Sequence, residues 1–308
     1  MRSLLPLAAA LLPLTGCVSL TPFAQVREHV PAEDMLEIVG QTVHIEQLGA
    51  GEPVVLLHGF GESTYTYRYV MPALAARYRV VAIDLNGFGY TERPRSATAY
   101  TLDGQQRMVL GVLDHLGIES AHFVGHSYGG GLTQWIAAHH VERVRSMILV
   151  DTTIPLYSTT RRSRVANFRL LSKVFLRAVA LRQRFVQRGL RAAYFDPALA
   201  TTEVANAYLD RLRVEGLEEA YYGLTAKNGL PPAEIDFAAV RVPALVVWGE
   251  NDTLTSISNG KRIAAALGNA RFVSFADCGH VPMEEKPHEL LAVMLPFLDA
   301  HAGGQARR

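Results

Sequence analysis

Apolar residues between positions 35 and 299 alternate between two spacings, one typical of buried strands and one typical of helices. Pro53–His58 is a continuous apolar run of strand length, and helical spacing follows in Thr64–Arg77. Met35–Val39 and Thr42–Leu48 are predicted to form a hairpin. Further strands are predicted at 79–83, 121–124, 144–150, 244–248 and 270–275, and helices at 101–116, 130–140, 259–267 and 287–299. This order predicts an α/β fold, with a mostly parallel sheet covered by helices on both faces.

Residues 152–236 interrupt the alternation, because they show helical spacing and no convincing strand. We interpret this segment as a helical cap inserted after the sixth strand. It separates two parts of the core, residues 31–151 and 237–300, and residues 301–308 form a tail.

The first half of the predicted cap is strongly basic, with ten basic residues and no acidic residue in 152–195. If 162–191 formed one continuous helix, seven basic side chains would share one stripe. These are Arg162, Arg169, Lys173, Arg177, Arg184, Arg188 and Arg191. Two interpretations stay open: a solvated face, or a surface that meets anionic lipid headgroups.

The composition is that of a globular protein, since 49% of the 308 residues are hydrophobic and 19% are charged. The net charge of +1 gives no indication of nucleic acid as a partner. The two cysteines, Cys17 and Cys278, lie far apart in the sequence, which argues against a disulfide framework.

The first 16 residues are typical of a signal peptide, with Arg2 followed by an apolar run at 4–14 and by small residues. That run is shorter than the about 20 residues that a spanning helix needs. The residues Leu-Thr-Gly-Cys at 14–17 resemble the lipobox of bacterial lipoproteins. The resemblance implies a lipid on Cys17, a tether over 17–30 and, because residue 18 is Val and not Asp, the periplasmic face of an outer membrane. The alternative is a secretory signal that is cut elsewhere.

The stretch FVGHSYGGG at 123–131 places Ser127 between two glycines, after a predicted strand and before a predicted helix. A sharp turn from a strand into a helix leaves little room for side chains two residues before and after the serine. Glycine at both positions lets the serine hydroxyl stand exposed near the free N–H groups of the helix. The motif alone is weak, but this context predicts that Ser127 is a nucleophile.

Two partners for Ser127 follow predicted strands in the order acid, then histidine. Asp252 would orient His280, and His280 would act as general base and then as general acid. Asp151, at the end of an earlier strand, is the alternative acid, whereas Glu250 lies too close to its strand. The backbone N–H groups of Phe60 and Tyr128 would form an oxyanion hole: Phe60 follows the strand at 53–58, and Tyr128 follows the serine.

Other candidate residues are predicted to have structural roles. His58 and His126 are interpreted as structural, Cys278 as a small packed residue and Asp84 as a residue that fixes the loop after its strand. Histidines such as His139 lack the spacing of metal ligands, so neither a metal nor a cofactor is predicted.

Taken together, the motifs closely resemble those of α/β-hydrolases with a cap, over about residues 35–300. They are VVLLHGFGES, VVAIDLNGFGYTERP, GHSYGG, ILVD, LVVWGENDTL and DCGHVPMEEKP. The group includes epoxide hydrolases, haloalkane dehalogenases, carbon–carbon bond hydrolases and esterases. Epoxide hydrolases and dehalogenases carry an aspartate nucleophile where this chain has Ser127, so the resemblance implies acyl chemistry.

We therefore expect a serine hydrolase that acts on a small acyl substrate, with a carboxylic ester as the leading candidate. A carbon–carbon bond hydrolase or a perhydrolase would use the same triad. A ligand-binding protein on the same fold is the alternative outside enzymes, although its usual mark is a damaged triad.

Overall fold

The computed structural model describes residues 18–153, 176–177, 181–225, 235–237 and 240–303. Eight strands form one sheet in the order β1-β2-β4-β3-β5-β6-β7-β8. The strands are β1 Met35–Ile38, β2 Gln41–Leu48, β3 Pro53–Leu57, β4 Arg79–Ile83, β5 Ala121–His126, β6 Val144–Val150, β7 Ala244–Gly249 and β8 Ala270–Phe275. Strands β1 and β2 run antiparallel to their neighbours, and the others are parallel. The predicted α/β fold is confirmed.

Helices cover both faces of the sheet and also form the described part of the cap. They are α1 Phe23–His29, α2 Met71–Ala75, α3 Leu102–His115, α4 Ser127–His139, α5 Gln183–Ala193, α6 Thr202–Leu212, α7 Leu217–Thr225, α8 Ile257–Leu267, α9 Pro282–Glu285 and α10 Pro287–His301. Side chains of alternate strand residues pack into two apolar clusters, one on each face of the sheet. The carboxyl ends of the parallel strands therefore meet at one edge, between the two layers of helices.

Two predicted helices have different bounds in the structure. The helix expected over Thr64–Arg77 is split into a 3₁₀ turn, Thr64–Tyr67, and α2. Pro72 lies in the first turn of α2, where its missing N–H costs no helical hydrogen bond. The helix expected from Gly130 begins at Ser127, because β5 continues to His126 and passes directly into α4.

The condition for the basic stripe, one continuous helix over 162–191, is not met in the part of the chain that the structure describes. Arg182 is extended, with φ −90° and ψ 137°, and it caps the amino end of α5. Of the predicted stripe, Arg162, Arg169 and Lys173 lie outside the described residues. Arg177 forms an ion pair with Glu218, so it is not available to an open basic face.

The segment predicted as a tether, residues 17–30, is described from residue 18 onward. Thr21 forms a bridge with Val214 of the cap, and α1 follows with Val26 buried. Arg27 lies 3.6 Å from Glu37 of β1. This segment is thus packed on the protein. The predicted signal peptide and Cys17 lie outside the described residues, and within those residues no helix is both long and apolar enough to cross a bilayer.

Candidate active site

Ser127 lies on a strained turn at the carboxyl edge of the sheet. Its φ of +47° is in the left-handed region, which non-glycine residues rarely occupy. A Cβ on Gly125 would lie 2.5 Å from the carbonyl oxygen of Gly129, and a Cβ on Gly129 would lie 2.2 Å from that of Leu57. Both contacts are impossible without backbone movement. Glycine on both sides is thus the steric condition for this turn.

His280 and Asp252 form a short hydrogen bond. His280 Nδ1 donates to Asp252 Oδ2 at 2.7 Å, and both side chains are almost fully buried. The backbone N–H groups of Leu254 and Thr255 donate to Asp252 Oδ1 at 2.7 and 3.0 Å. Burial by itself would raise the pKa of Asp252, but the hydrogen bond and the charge of His280 outweigh it and lower this pKa to about 2. Asp252 is therefore a carboxylate at neutral pH.

Contacts of its backbone hold His280 beside the serine turn. Its N–H donates to the carbonyl oxygen of Ala193 in the cap at 2.7 Å. Its own carbonyl oxygen accepts from Nε2 of His126 at 2.7 Å, and the two imidazole rings are 4.8 Å apart. Because His126 immediately precedes Ser127, the structure brings the predicted serine, histidine and aspartate to one edge of the sheet. Their catalytic roles stay predictions.

Asp151, the alternative acid, lies in the same cluster but contacts a different group. Its Oδ1 accepts the backbone N–H of Gly249 at 3.0 Å, while its buried Oδ2 has no hydrogen-bond partner. One oxygen of each carboxyl and one ring nitrogen of His280 lie within 4.8 Å of one another. Such a set could ligate a cation. His280 Nδ1 and Asp252 Oδ2 are, however, already joined by a hydrogen bond, and this makes Asp252 the acid of the pair.

The predicted oxyanion-hole residues lie next to each other. Tyr128 is in the first turn of α4, where backbone N–H groups have no helical acceptor. The ring of Phe60 lies 6.5 Å from the ring of Tyr128 and 5.2 Å from that of Phe88, edge to face in both cases. The wall beside the serine is thus aromatic on this side.

The sequence reasoning missed a buried acid behind the serine turn. Glu62 Oε2 accepts from Nδ1 of His126 at 2.9 Å and from the backbone N–H of Gly59 at 2.8 Å. Burial would lower the pKa of His126, but the carboxylate of Glu62 outweighs it and raises this pKa; in turn His126 lowers the pKa of Glu62. His126 therefore has a side-chain role, because it links Glu62 to the backbone of His280. The sequence does offer a signal for this contact: Glu62 lies in the glycine-containing loop after β3, and His126 immediately precedes Ser127.

Cys278 and Asp84 agree with their predicted structural roles. Cys278 is fully buried, and burial raises the pKa of its thiol, so it is not a thiolate. Asp84 accepts from the backbone N–H of Tyr90 at 2.8 Å, which fixes the loop after β4. His44 donates to Asp84 at 2.6 Å, a contact that the sequence did not indicate.

With this geometry in place, the comparisons with known proteins identify the family. Residues 52–287 match the profile of a family described by its alpha/beta hydrolase fold. The chain belongs to the α/β-hydrolase family. The predicted cap after the sixth strand agrees with the helices α5–α7 that follow β6 in this member of the family.

Several relatives of this α/β-hydrolase are hydrolases that are named after their substrates. The chain is 30% identical to a 2-hydroxymuconate semialdehyde hydrolase from a Pseudomonas species, over 84% of this chain and 91% of that protein. It is 32% identical to a 2-hydroxy-6-oxononadienedioate/2-hydroxy-6-oxononatrienedioate hydrolase from Paraburkholderia phymatum, over 83% and 90%. Among solved structures, a meta-cleavage product hydrolase from Pseudomonas fluorescens aligns with a TM-score of 0.74 at 24% identity, over 86% of this chain and 97% of that one. The last similarity shows the fold alone.

Proposed function

We propose that this α/β-hydrolase is a serine hydrolase that cleaves carboxylic esters through an acyl-enzyme on Ser127. The observation that carries the proposal is the buried Asp252–His280 hydrogen bond beside the strained serine turn. Because Nδ1 of His280 donates to Asp252, its Nε2 is left as the acceptor for the proton of the serine.

The reaction proceeds in two balanced halves. Ser127 Oγ attacks the ester carbonyl carbon while its proton passes to His280, and the N–H groups of Phe60 and Tyr128 stabilise the oxyanion. The carbon–oxygen bond to the alcohol then breaks, and His280 returns the proton to the leaving oxygen. Water repeats the sequence on the acyl-enzyme: His280 takes a proton from the water, and the acid leaves as Ser127 regains its hydrogen. Asp252 stabilises the imidazolium in both halves.

The aromatic wall favours an ester with an apolar group. Phe60, Phe88 and Tyr128 contact one another edge to face beside Ser127, and Phe60 is 50% exposed. An apolar acyl or alcohol group would pack against these aromatic side chains, whereas a charged carboxylate on the substrate would gain little from contact with them.

Hydrolysis of a carbon–carbon bond is the second candidate, and the names of the relatives at 30% and 32% identity favour it. The same nucleophile and base would attack a ketone carbonyl in place of an ester, and a stabilised carbanion would leave in place of an alkoxide.

The experiment that separates the candidates compares two substrate classes on the purified protein. One is a series of p-nitrophenyl esters of increasing chain length; the other is 2-hydroxy-6-oxo-6-phenylhexa-2,4-dienoate, the compound in the name of a relative from Comamonas testosteroni. The ester proposal predicts that kcat/KM for at least one ester exceeds kcat/KM for the dienoate. It also predicts that Ser127→Ala loses this ester turnover. A larger kcat/KM for the dienoate would select the second candidate. Turnover of neither class, with no labelling by a fluorophosphonate, would favour a ligand-binding protein.

A further inference from the structure

The described chain begins on the cap and not on the sheet. Val18 donates its backbone N–H to the carbonyl oxygen of Arg177 at 3.2 Å. Thr21 donates to the carbonyl oxygen of Arg213 at 2.6 Å and accepts from the N–H of Glu215 at 2.9 Å. The first described residues of the chain are therefore bound to the cap.

Helix α5 starts near this segment and is basic on its exposed face. Leu181, just before α5, accepts a hydrogen bond from the side chain of Arg213 at 2.6 Å, and Arg213 in turn contacts the amino-terminal segment. Arg184, Arg188 and Arg191 are exposed at a spacing that keeps them on one side of the helix, whereas Leu190 is buried.

Exposed apolar side chains lie next to this basic face. Phe195, Leu199 and Leu254 are 44%, 39% and 58% exposed. Thr253 Oγ1 donates to the carbonyl oxygen of Ala192 at 3.0 Å, which holds the Leu254 loop against the carboxyl end of α5. The cap surface, as we define it, consists of the following six residues: Arg184, Arg188, Arg191, Phe195, Leu199 and Leu254.

We propose that the cap surface rests on a bilayer that contains anionic lipid, with a lipid on Cys17 as the anchor, at the periplasmic face of an outer membrane. Cations beside exposed apolar side chains are the combination by which peripheral proteins bind anionic headgroups and enter the interface. Because Val18 and Thr21 bind the cap, the chain that leads from the anchor is held against the cap, and we expect the cap to face lipid. This inference does not depend on which bond the enzyme cleaves.

The orientation is tested on the full-length protein in vesicles of phosphatidylethanolamine and phosphatidylglycerol that carry a nitroxide-labelled lipid. A fluorescent label is placed at Arg188→Cys or, as the control, at Arg271→Cys near the amino end of β8; Cys278 is fully buried and stays unlabelled. The proposal predicts strong quenching at 188 and little at 271, and a lipid mass on the Cys17 peptide. Equal quenching at the two positions, or an unmodified Cys17, overturns it.

The charge contribution is tested in the Cys17→Ser variant, which removes the anchor. We expect this variant to leave the membrane fraction but to sediment with phosphatidylglycerol vesicles at low salt and not at high salt. Replacing the three cap arginines by glutamine should reduce this sedimentation at least about tenfold. The matched control replaces three exposed basic residues outside the cap, Arg241, Lys261 and Arg271, and should retain it. No sedimentation at low salt, or equal loss in both triple variants, contradicts a basic docking surface.

A second observation, independent of the first, concerns Asp151. This residue follows β6 with a φ of +41°, is fully buried, and its Oδ2 has no hydrogen-bond partner. Its other oxygen accepts from the N–H of Gly249, and its carbonyl oxygen accepts from Thr255 Oγ1 at 3.2 Å. The backbone N–H of Thr255 donates to Asp252 Oδ1, so the two aspartates share a neighbour on the loop after β7.

Two buried carboxyl groups at this separation cannot both be charged without a large cost. Asp252 is the charged one, since it receives the hydrogen bonds of His280 and the loop N–H groups. Burial first, and the charge of Asp252 second, raise the pKa of Asp151 well above its usual range; Glu285 adds to this, and the neutral thiol of Cys278 also faces the group.

We infer that Asp151 is a protonated positioning residue whose acid hydrogen points toward the carboxylate of Asp252 and holds it against His280. The inference rests on the proposed triad. A neutral donor at this position stabilises the Asp252 anion. A second anion there would also stabilise the imidazolium in the resting enzyme, so that less of His280 would be the free base that accepts the serine proton.

The test compares Asp151→Asn, which keeps a neutral donor and the acceptor for Gly249, with Asp151→Ala, which removes both. The rate of Ser127 labelling by a fluorophosphonate and ester turnover are followed against pH. In wild type, loss of the Asp151 proton at alkaline pH should lower the rate. We expect Asp151→Asn to stay within about fivefold of the wild-type rate at neutral pH and not to show this alkaline decrease. We expect the rate of Asp151→Ala to be at least about tenfold lower than that of Asp151→Asn. If Asp151→Asn is as damaging as Asp252→Asn, the residue must be charged and the inference fails. Labelling that persists in Ser127→Ala would instead overturn the proposed function.

Discussion

Two buried histidine–aspartate pairs in this protein have nearly the same local geometry and different surroundings. The first pair is His280 and Asp252, which we propose to be catalytic and call the catalytic pair; its Nδ1–Oδ2 distance is 2.7 Å. The second is the loop pair, His44 and Asp84, in which this distance is 2.6 Å. The catalytic pair lies beside the strained turn at Ser127, whereas the loop pair lies at the end of β4.

The hydrogen bonds of Asp84 show that the loop pair has a structural role. Asp84 accepts from the backbone N–H groups of Thr64 and Tyr90 at 2.7 and 2.8 Å, so its charge fastens two loops. Burial opposes the charge of Asp84, but His44 outweighs burial and lowers the pKa of this aspartate. A short histidine–aspartate contact is thus not a catalytic site by itself. The nucleophile turn beside it makes the distinction.

The largest expected effect comes from removing the proposed nucleophile, Ser127, which lies beside the catalytic pair and not beside the loop pair. Ser127→Ala should lower kcat/KM by at least about ten-thousandfold, because the oxyanion hole and binding alone remain. Turnover is measured with the best ester, and circular dichroism checks that the variant folds. Retention of more than about a tenth of wild-type activity would remove Ser127 from the mechanism.

The catalytic pair itself should be nearly as sensitive. His280→Ala should approach the loss of Ser127→Ala, since no other base is hydrogen-bonded to Asp252 in the described site. Asp252→Asn should cost roughly a hundredfold to ten-thousandfold, because the imidazolium loses its anion. If Asp252→Asn were harmless and Asp151→Asn were not, Asp151 would be the acid.

The loop pair should respond in stability and not in chemistry. His44→Ala leaves the buried carboxylate of Asp84 without its ionic partner, which typically costs about 3 kcal/mol of unfolding free energy. Urea unfolding measures this loss, and kcat per labelled active site should change less than about tenfold. A large fall in kcat with unchanged stability would assign the loop pair to the reaction.

The smallest effect is the pH dependence that the catalytic pair adds to stability. The pKa of Asp252 is lowered from 3.8 to about 2 in the folded protein. A depressed pKa contributes stability above about pH 4, and that contribution is lost as pH falls toward 2. Unfolding free energy measured between pH 5 and pH 3 by urea titration should therefore fall less steeply in Asp252→Asn than in wild type. Identical slopes would show that the aspartate is not stabilised as an anion.

Much of the sheet could be predicted from the sequence because its strands are continuous apolar runs bounded by polar residues. The predicted bounds of β4, β6 and β8 agree with the structure. The placement of Ser127, Asp252 and His280 at one edge of the sheet was also predictable, since each follows a strand.

Features that depend on distant contacts could not be predicted. The segment before residue 30 has weak helical spacing, and its docking depends on Thr21 meeting Val214, far away in the chain. The start of α5 after Arg182 lacks a proline or glycine signal. Asp151 Oδ2 has no hydrogen-bond partner because of how the end of β6 packs against the loop after β7. No local sequence pattern predicts such a contact.

The most direct test of the central assignment is the mass of the covalent intermediate. The protein is mixed with a p-nitrophenyl ester, quenched in acid within the first turnover, and its peptides are mapped by mass spectrometry. We predict an acyl group on the peptide that contains Ser127 in wild type and in His44→Ala, and none in Ser127→Ala. An ester turned over with no acyl group at Ser127, or an acyl group that persists in Ser127→Ala, would contradict the assignment.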